Sequence, residues 1–213
     1  MSALNSYYAM ILGDNYYSCN VNKKSSINSR IQSLKKTGEI INCIGIGPEN
    51  YYAITCKSGK CYYYGSQRFM EQMQSISNTG NIPKICHITF GCDNQYAITM
   101  STGHCFSYLY RDISKEVNRY NGKIKYVSMG NDKNNWILGY GYNGYCVGTQ
   151  FPHNMYLFLD GINNSKKFIN FVEVGNNNTY FISHEEGFRW YINDDFDELI
   201  SNSKLKFNCI SLY

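Results

Sequence analysis

Four times along this chain an apolar stretch ends in glycine, a short polar turn follows, and a second apolar stretch runs on toward another glycine. The fullest copies are IINCIGIGPENYYAITCKSGKCYYYG, from Ile40, and ICHITFGCDNQYAITMSTGHCFSY, from Ile85; weaker copies begin at Ile124 and Ile169. The segments YYAITC and QYAITM are short, rich in Tyr, Ile and Thr, and loosely alternating, the pattern of a strand. Tight turns at Ser58-Gly59 and Thr102-Gly103 predict a hairpin to the next aromatic segment, and the stretch before the first glycine predicts a third strand. Between these triplets lie polar segments such as QRFMEQMQSI, RDISKEVNRY and DDFDELISN. Their apolar residues recur every three or four positions, which fits either a short helical turn or an irregular outer strand.

The register of the copies fixes an internal repeat. The first glycines are Gly47, Gly91, Gly130 and Gly175, spaced by 44, 39 and 45 residues. After each comes an aromatic (Tyr52, Tyr96, Trp136, Tyr180), and two residues before that aromatic stands Asn50, Asn94, Asn134 or Asn178. The N-terminal NSYYAMILGDNYYSC reads as the second half of a unit, with Tyr8 in the place of Tyr52, Ser6 in the place of the asparagine and Asn15 replacing the second glycine. Its missing strand is supplied by KFNCISLY at residues 206–213, which aligns with IINCIGIG and sets Cys209 over Cys43. Half a unit at each end makes a fifth, and pairing the ends removes the need for caps. The expectation is an all-β, five-bladed β-propeller with small blades of about 40–45 residues, closed by pairing of the N- and C-terminal strands. It forms a single domain over 1–213, in sequence units 1–47, 48–91, 92–130, 131–175 and 176–213.

Composition narrows the class. The chain has 213 residues, 43% hydrophobic and 16% aromatic, with three prolines and no linker-like tract, as expected of one domain. No apolar run is long enough to span a bilayer as a helix, and the first twenty residues lack the pattern of a secretory signal. The nine cysteines recur at equivalent places, Cys61, Cys105 and Cys146 in one column, Cys43 and Cys209 in another. Recurrence in strands predicts small apolar core residues rather than disulfides or metal ligands, and with them an intracellular, reducing compartment. The sequons at Asn163 and Asn177 are accidents of an Asn-rich chain.

Candidate chemistry is sparse. The ring of Asn50, Asn94, Asn134 and Asn178 beside Tyr52, Tyr96, Trp136 and Tyr180 invites two readings. One is a turn fixed by a short polar side chain; the other is a repeated carbohydrate site of amide and aromatic face. The four histidines fall at non-equivalent positions, with His87 and His104 in one unit, and no catalytic or metal motif is present. The acidic run at residues 194–198 lacks the ligand alternation of a calcium loop and reads as a solvated helix start. Residues 1–106 carry nine Lys/Arg against five Asp/Glu. The excess gathers in a basic patch at Lys23, Lys24, Arg30, Lys35 and Lys36, a solvated face by the simplest account.

At ICHITFGCDNQYAITMSTGHCFSY the pattern resembles the repeat of the regulator of chromosome condensation family. It resembles still more closely the shorter propeller repeats in proteins of amoebae, fungi and giant DNA viruses, and the Asn, Tyr, Ile and Lys usage fits the AT-rich genomes of such sources. The resemblance spans nearly the whole chain at the level of the repeat and implies a propeller. The units are fewer and shorter than in that family, and its tryptophan-glycine-glutamine-leucine signature is missing. The expected function is a non-enzymatic, monomeric binding or scaffold module that meets a protein partner through one face, without a cofactor, nucleic acid or membrane insertion. A lectin-like binder of glycan with repeated sites comes second. A regulator of a small GTPase, the role the resemblance implies, comes third.

Overall fold

The computed structural model describes residues 8–12, 16–19, 26–78, 84–192, 196 and 207–212. They form five antiparallel three-stranded sheets and four helices. Four sheets are continuous in sequence. The first comprises β3 (Ile41–Ile46), β4 (Tyr52–Cys56) and β5 (Cys61–Tyr64). The second comprises β6 (Ile85–Phe90), β7 (Tyr96–Met100) and β8 (Cys105–Tyr108). The third comprises β9 (Ile124–Met129), β10 (Trp136–Tyr140) and β11 (Gly144–Val147). The fourth comprises β12 (Ile169–Val174), β13 (Tyr180–His184) and β14 (Gly187–Tyr191). The fifth is assembled from both ends of the chain: β1 (Tyr8–Leu12) pairs with β2 (Tyr16–Cys19) on one side and with β15 (Phe207–Leu212) on the other. Tyr8 faces Leu212 and Ile11 faces Cys209, as Tyr52 faces Ile46 and Thr55 faces Cys43. The terminal halves therefore meet in the register that the repeat expects.

The strands that lead each sheet, β3, β6, β9, β12 and β15, lie side by side in that order, and β15 lies against β3. No sheet closes on itself. What joins one sheet to the next is a side chain. Thr89 Oγ1 accepts from Met129 N at 3.3 Å, Ser128 Oγ from Val174 N at 2.8 Å and Ser211 Oγ from Ile46 N at 3.0 Å. Each bond runs from the fifth residue of one leading strand to the sixth of the next. Gly45 occupies the same column, where an added Cβ would stand 2.8 Å from the Ile88 carbonyl oxygen. The five leading strands also share a bulge at their second residue, leaving Asn42, Cys86, Lys125, Asn170 and Asn208 unpaired in the ladder. Asn42 uses its freedom to donate to Ile85 O of the next sheet at 2.8 Å.

The segments between sheets are helices: α1 (Ser26–Thr37), α2 (Gln67–Ser77), α3 (Arg111–Tyr120) and α4 (His153–Asn164). The spacing that left helix and outer strand open is resolved by burial. Ile27, Ile31 and Leu34 are buried along α1, Phe69, Met73 and Ile76 along α2, and Met155, Leu159 and Ile162 along α4. These are i, i+4, i+7 stripes that a strand would split between its two faces. Phe196, helical and fully buried, takes the equivalent place before β15. Each stripe wedges between two sheets. Phe69 meets Tyr63 of its own sheet, at 6.3 Å between ring centroids, and Phe90 and Tyr96 of the next, at 4.8 and 5.2 Å. Every sheet described here begins with its leading strand. The sequence units 48–91, 92–130 and 131–175 instead end on the leading strand of the following sheet.

Among the described residues seven cysteines are free, Cys43 and Cys56 buried, and the side chains of Cys19 and Cys209 lie outside the described residues. Burial pushes the Cys56 and Cys105 thiols up to about 11. At neutral pH they pack as protonated, weakly polar groups. Among the described residues no helix is long and apolar enough to cross a membrane.

Deleting β15 strips β1 of one of its two partners and removes the Ser211 acceptor from β3. The truncated protein is expected to lose its cooperative melt and elute as aggregate, because two edges become exposed. Size-exclusion chromatography and calorimetry read this directly. A monomer with unchanged Tm would show that the terminal pairing contributes nothing.

Candidate functional site

The turns after the leading strands gather at one end of the molecule. Each is closed by its glycine: Gly47 N donates to Tyr51 O, Gly91 N to Gln95 O, Gly130 N to Asn135 O and Gly175 N to Thr179 O, at 2.8 to 3.0 Å. In three of them two consecutive residues are left-handed: Glu49 and Asn50, Asp93 and Asn94, Asn177 and Asn178, with φ between 51° and 63°. Asparagine tolerates this region better than any residue except glycine, which accounts for Asn50, Asn94 and Asn178. The turn from Gly130 is one residue longer and is built differently. Asn134 is not left-handed, and its N–H donates to Asp132 Oδ1 at 2.7 Å.

Asn50, Asn94 and Asn178 are exposed and Asn134 half-buried, whereas Tyr52, Tyr96, Trp136 and Tyr180 are all buried. The structure thus does not bring the amide and the aromatic of one turn onto a common surface. The aromatics that do share the turn end are Tyr64, Tyr108 and Tyr191, the last residues of β5, β8 and β14, 41 to 52% exposed. They stand opposite Tyr52, Tyr96 and Tyr180 across the ladder. Tyr51 joins them: its ring lies 6.0 Å from that of Tyr64, and its hydroxyl donates to Asn94 Oδ1 of the next turn at 2.9 Å. Tyr110 OH donates in the same way to Asp93, which pushes the phenol up to about 12. The recurrence of Tyr64, Tyr108 and Tyr191 at one register position was readable in the sequence but was masked there by the other tyrosines.

The expected basic patch is only partly described. Arg30, Lys35 and Lys36 are exposed on α1, with Arg30 stacked 4.5 Å from the Tyr62 ring centre. Lys23 and Lys24 lie outside the described residues, as do Ser6, Asn15 and the acidic positions of 194–198.

A second cluster sits where the leading strands converge. Glu173 of β12 occupies the column that elsewhere holds Gly45, Thr89, Ser128 and Ser211, and it is 1% exposed. Its Oε1 lies 2.5 Å from Nε2 of buried His87, and its Oε2 accepts from Ser128 Oγ at 2.6 Å. The two side chains share one hydrogen bond, with the donor set by the imidazole tautomer. The carboxylate stands between hydroxyl and imidazole, whereas a nucleophilic relay needs the imidazole in the middle. Above the cluster lies a cavity of about 160 Å³ bordered by Cys86, Lys125, Tyr126, Asn170 and Phe171. Burial lowers Lys125, whose amine donates to Tyr142 O at 2.5 Å, and raises Tyr126. His104 is engaged elsewhere, 3.1 Å from Thr102 Oγ1. Among the described residues no group of three or more His, Cys, Asp or Glu is placed to hold a metal ion. No protein-family model and no curated protein matches the chain.

Two stability measurements follow from these sites. Asn94→Gly is expected to change stability by less than about 0.5 kcal/mol, while Asn94→Ala costs about 1 kcal/mol, because alanine must hold the left-handed backbone. Equal effects in urea unfolding would remove the turn from the account. Glu173→Ala leaves His87 buried without its carboxylate and is expected to cost about 3–5 kcal/mol. The double change His87→Cys with Glu173→Ser copies the residues of neighbouring leading strands and is expected to recover most of that loss. A double mutant no more stable than Glu173→Ala would contradict the pairing.

Proposed function

We propose that the chain is a five-bladed β-propeller acting as a non-enzymatic binding module, and that it meets a protein partner through its turn end. The propeller reading is supported by the cyclic order of the leading strands, by the sheet shared between the two termini and by a helix in each described outer position. Non-catalytic use is supported by the wiring of a buried acid–base cluster among the described residues, in which Glu173 ties Ser128 and His87 together instead of activating either. The free cysteines support a reducing compartment.

The observation that carries the partner reading is the rim of Tyr64, Tyr108 and Tyr191 around asparagine-rich turns. Tyrosine offers large contact area at small cost in rotamer entropy, and asparagine offers adaptable hydrogen bonds. Together they are the composition of recognition loops. The rim recurs with the repeat, so it forms a broad surface rather than a single pocket.

The test compares proteins captured from the source cell by the wild type, by Tyr64→Ser/Tyr108→Ser/Tyr191→Ser, and by Tyr142→Ser, which alters the opposite end. A specific partner is expected to bind the triple variant at least about 30-fold more weakly, the loss of one hot spot, and to bind Tyr142→Ser as it binds the wild type. Retention by the triple variant, or loss with Tyr142→Ser, would refute the turn end as the interface.

A further inference from the structure

The repeat is broken twice at one junction. The turn from Gly130 carries an extra residue, and Gly148 stands where three of the other sheets place Tyr64, Tyr108 and Tyr191. The two departures depend on each other. The longer turn folds Asn134 over the end of β11, so that a Cβ on Gly148 would stand 2.0 Å from Asn134 O, and Gln150 N donates to that same carbonyl at 3.0 Å. A tyrosine at position 148 could not coexist with this turn.

Beside this junction lies a groove of about 420 Å³ between the β9–β10 and β12–β13 turns, lined by Asn131, Asp132, Asn135, Gln150, Asn176 and Asn178 among others. The crevice at the preceding junction holds no space for a water. There Gln95, the counterpart of Asn135, is satisfied on both sides, accepting from Tyr110 N at 3.1 Å and donating to Cys92 Sγ at 3.7 Å. Asn135 is not. It is 6% exposed, its Nδ2 donates to Gly175 O at 3.4 Å, and its Oδ1 has no hydrogen-bond partner. Asn176 Oδ1 is likewise buried and unpartnered. Such an acceptor is destabilising unless a donor arrives. Places where a repeat breaks its own rule and leaves polar groups unmet are where function is expected.

We propose that this groove binds a saccharide through vicinal hydroxyls. The lining is almost wholly polar and nearly neutral, which disfavours apolar and strongly ionic ligands. Its one carboxylate, Asp132, already accepts from Asn134 N and, with the Gln150 amide turned toward it, from Gln150 at 3.0 Å. A cationic side chain would find little uncommitted charge. The amides that line the groove each set a donor beside an acceptor, which suits a ligand whose adjacent groups both donate and accept, the property of neighbouring hydroxyls. The Asn135 and Asn176 oxygens are shielded from solvent, and a ligand hydroxyl reaches them once these amides turn toward the groove. The volume lies within the range of small-molecule sites. The inference stands apart from the protein-partner reading, since it rests on one junction and not on the tyrosine rim.

Saturation-transfer NMR with methyl glycosides of glucose, galactose, mannose and N-acetylglucosamine tests it. Each is offered at about 10 mM, roughly ten times the Kd of a weak single site. At least one is expected to give a signal and to shift the side-chain amide resonances of Asn135 and Asn176 in the wild type. Asn176→Ala is expected to weaken binding about tenfold, while Asn94→Gly, at a turn without a groove, leaves it unchanged. Silence from all four sugars would overturn the proposal, since it would assign the acceptors to ordered water. Shifts confined to other amides, equal loss in Asn94→Gly, or binding of N-acetyl-arginine amide in place of the sugars would overturn it as well.

Discussion

Five leading strands lie side by side, each against the next, and bring backbone N–H groups into the space between sheets. That constraint governs the rest of the molecule. A buried, unpaired N–H is rarely tolerated, and here it is met by a hydroxyl one strand away: Thr89 for Met129, Ser128 for Val174, Ser211 for Ile46. The acceptor must be short, because the strands approach closely enough to exclude even a methyl group at Gly45. Small residues at the fifth position of four of the five leading strands (Gly45, Thr89, Ser128 and Ser211), and bulges that re-aim the second residue, both follow from bringing these strands so close together.

The same constraint makes Glu173 conspicuous. A carboxylate buried in a column of Gly, Thr and Ser needs hydrogen-bond partners in that space. It reaches past β9 to His87, while Ser128 keeps its acceptor role toward Val174 and adds a donated bond. The outcome is a polar cluster that ties β6, β9 and β12 together, next to a small cavity bordered by Lys125 and Tyr126. Such a cluster fixes how β6, β9 and β12 sit relative to one another, a role for which apolar packing alone is less selective.

Much of the architecture was legible in the sequence because it repeats. The glycines at 47, 91, 130 and 175, the Tyr-Ala-Ile-Thr words and the alignment of 206–213 on 40–47 gave strand order and the meeting of the termini. Helix against strand was harder to decide, since α2 and α3 span only 11 and 10 residues and offer two or three apolar positions each. The site was less legible. Asn94 and Tyr96 are two residues apart, yet the left-handed backbone at Asn94 turns the amide outward just before β7 carries the ring inward. His87 and Glu173 are 86 positions apart and match no motif. Only reading each unit against the others, column by column, picks out the residue that does not conform. The same comparison exposes Gly148 where tyrosine is usual.

The sheet built from β15, β1 and β2 holds no covalent connection between its first and second strands, whereas every other sheet has a short turn at that place. Position in the chain is therefore decoupled from position around the axis. A gene for this protein could begin at any helix and still encode the same circle of contacts, provided the two halves of the interrupted sheet found each other. Circular permutants are the neutral moves open to such a sequence. Insertions inside a leading strand are not, because they would shift every hydroxyl away from the amide it serves.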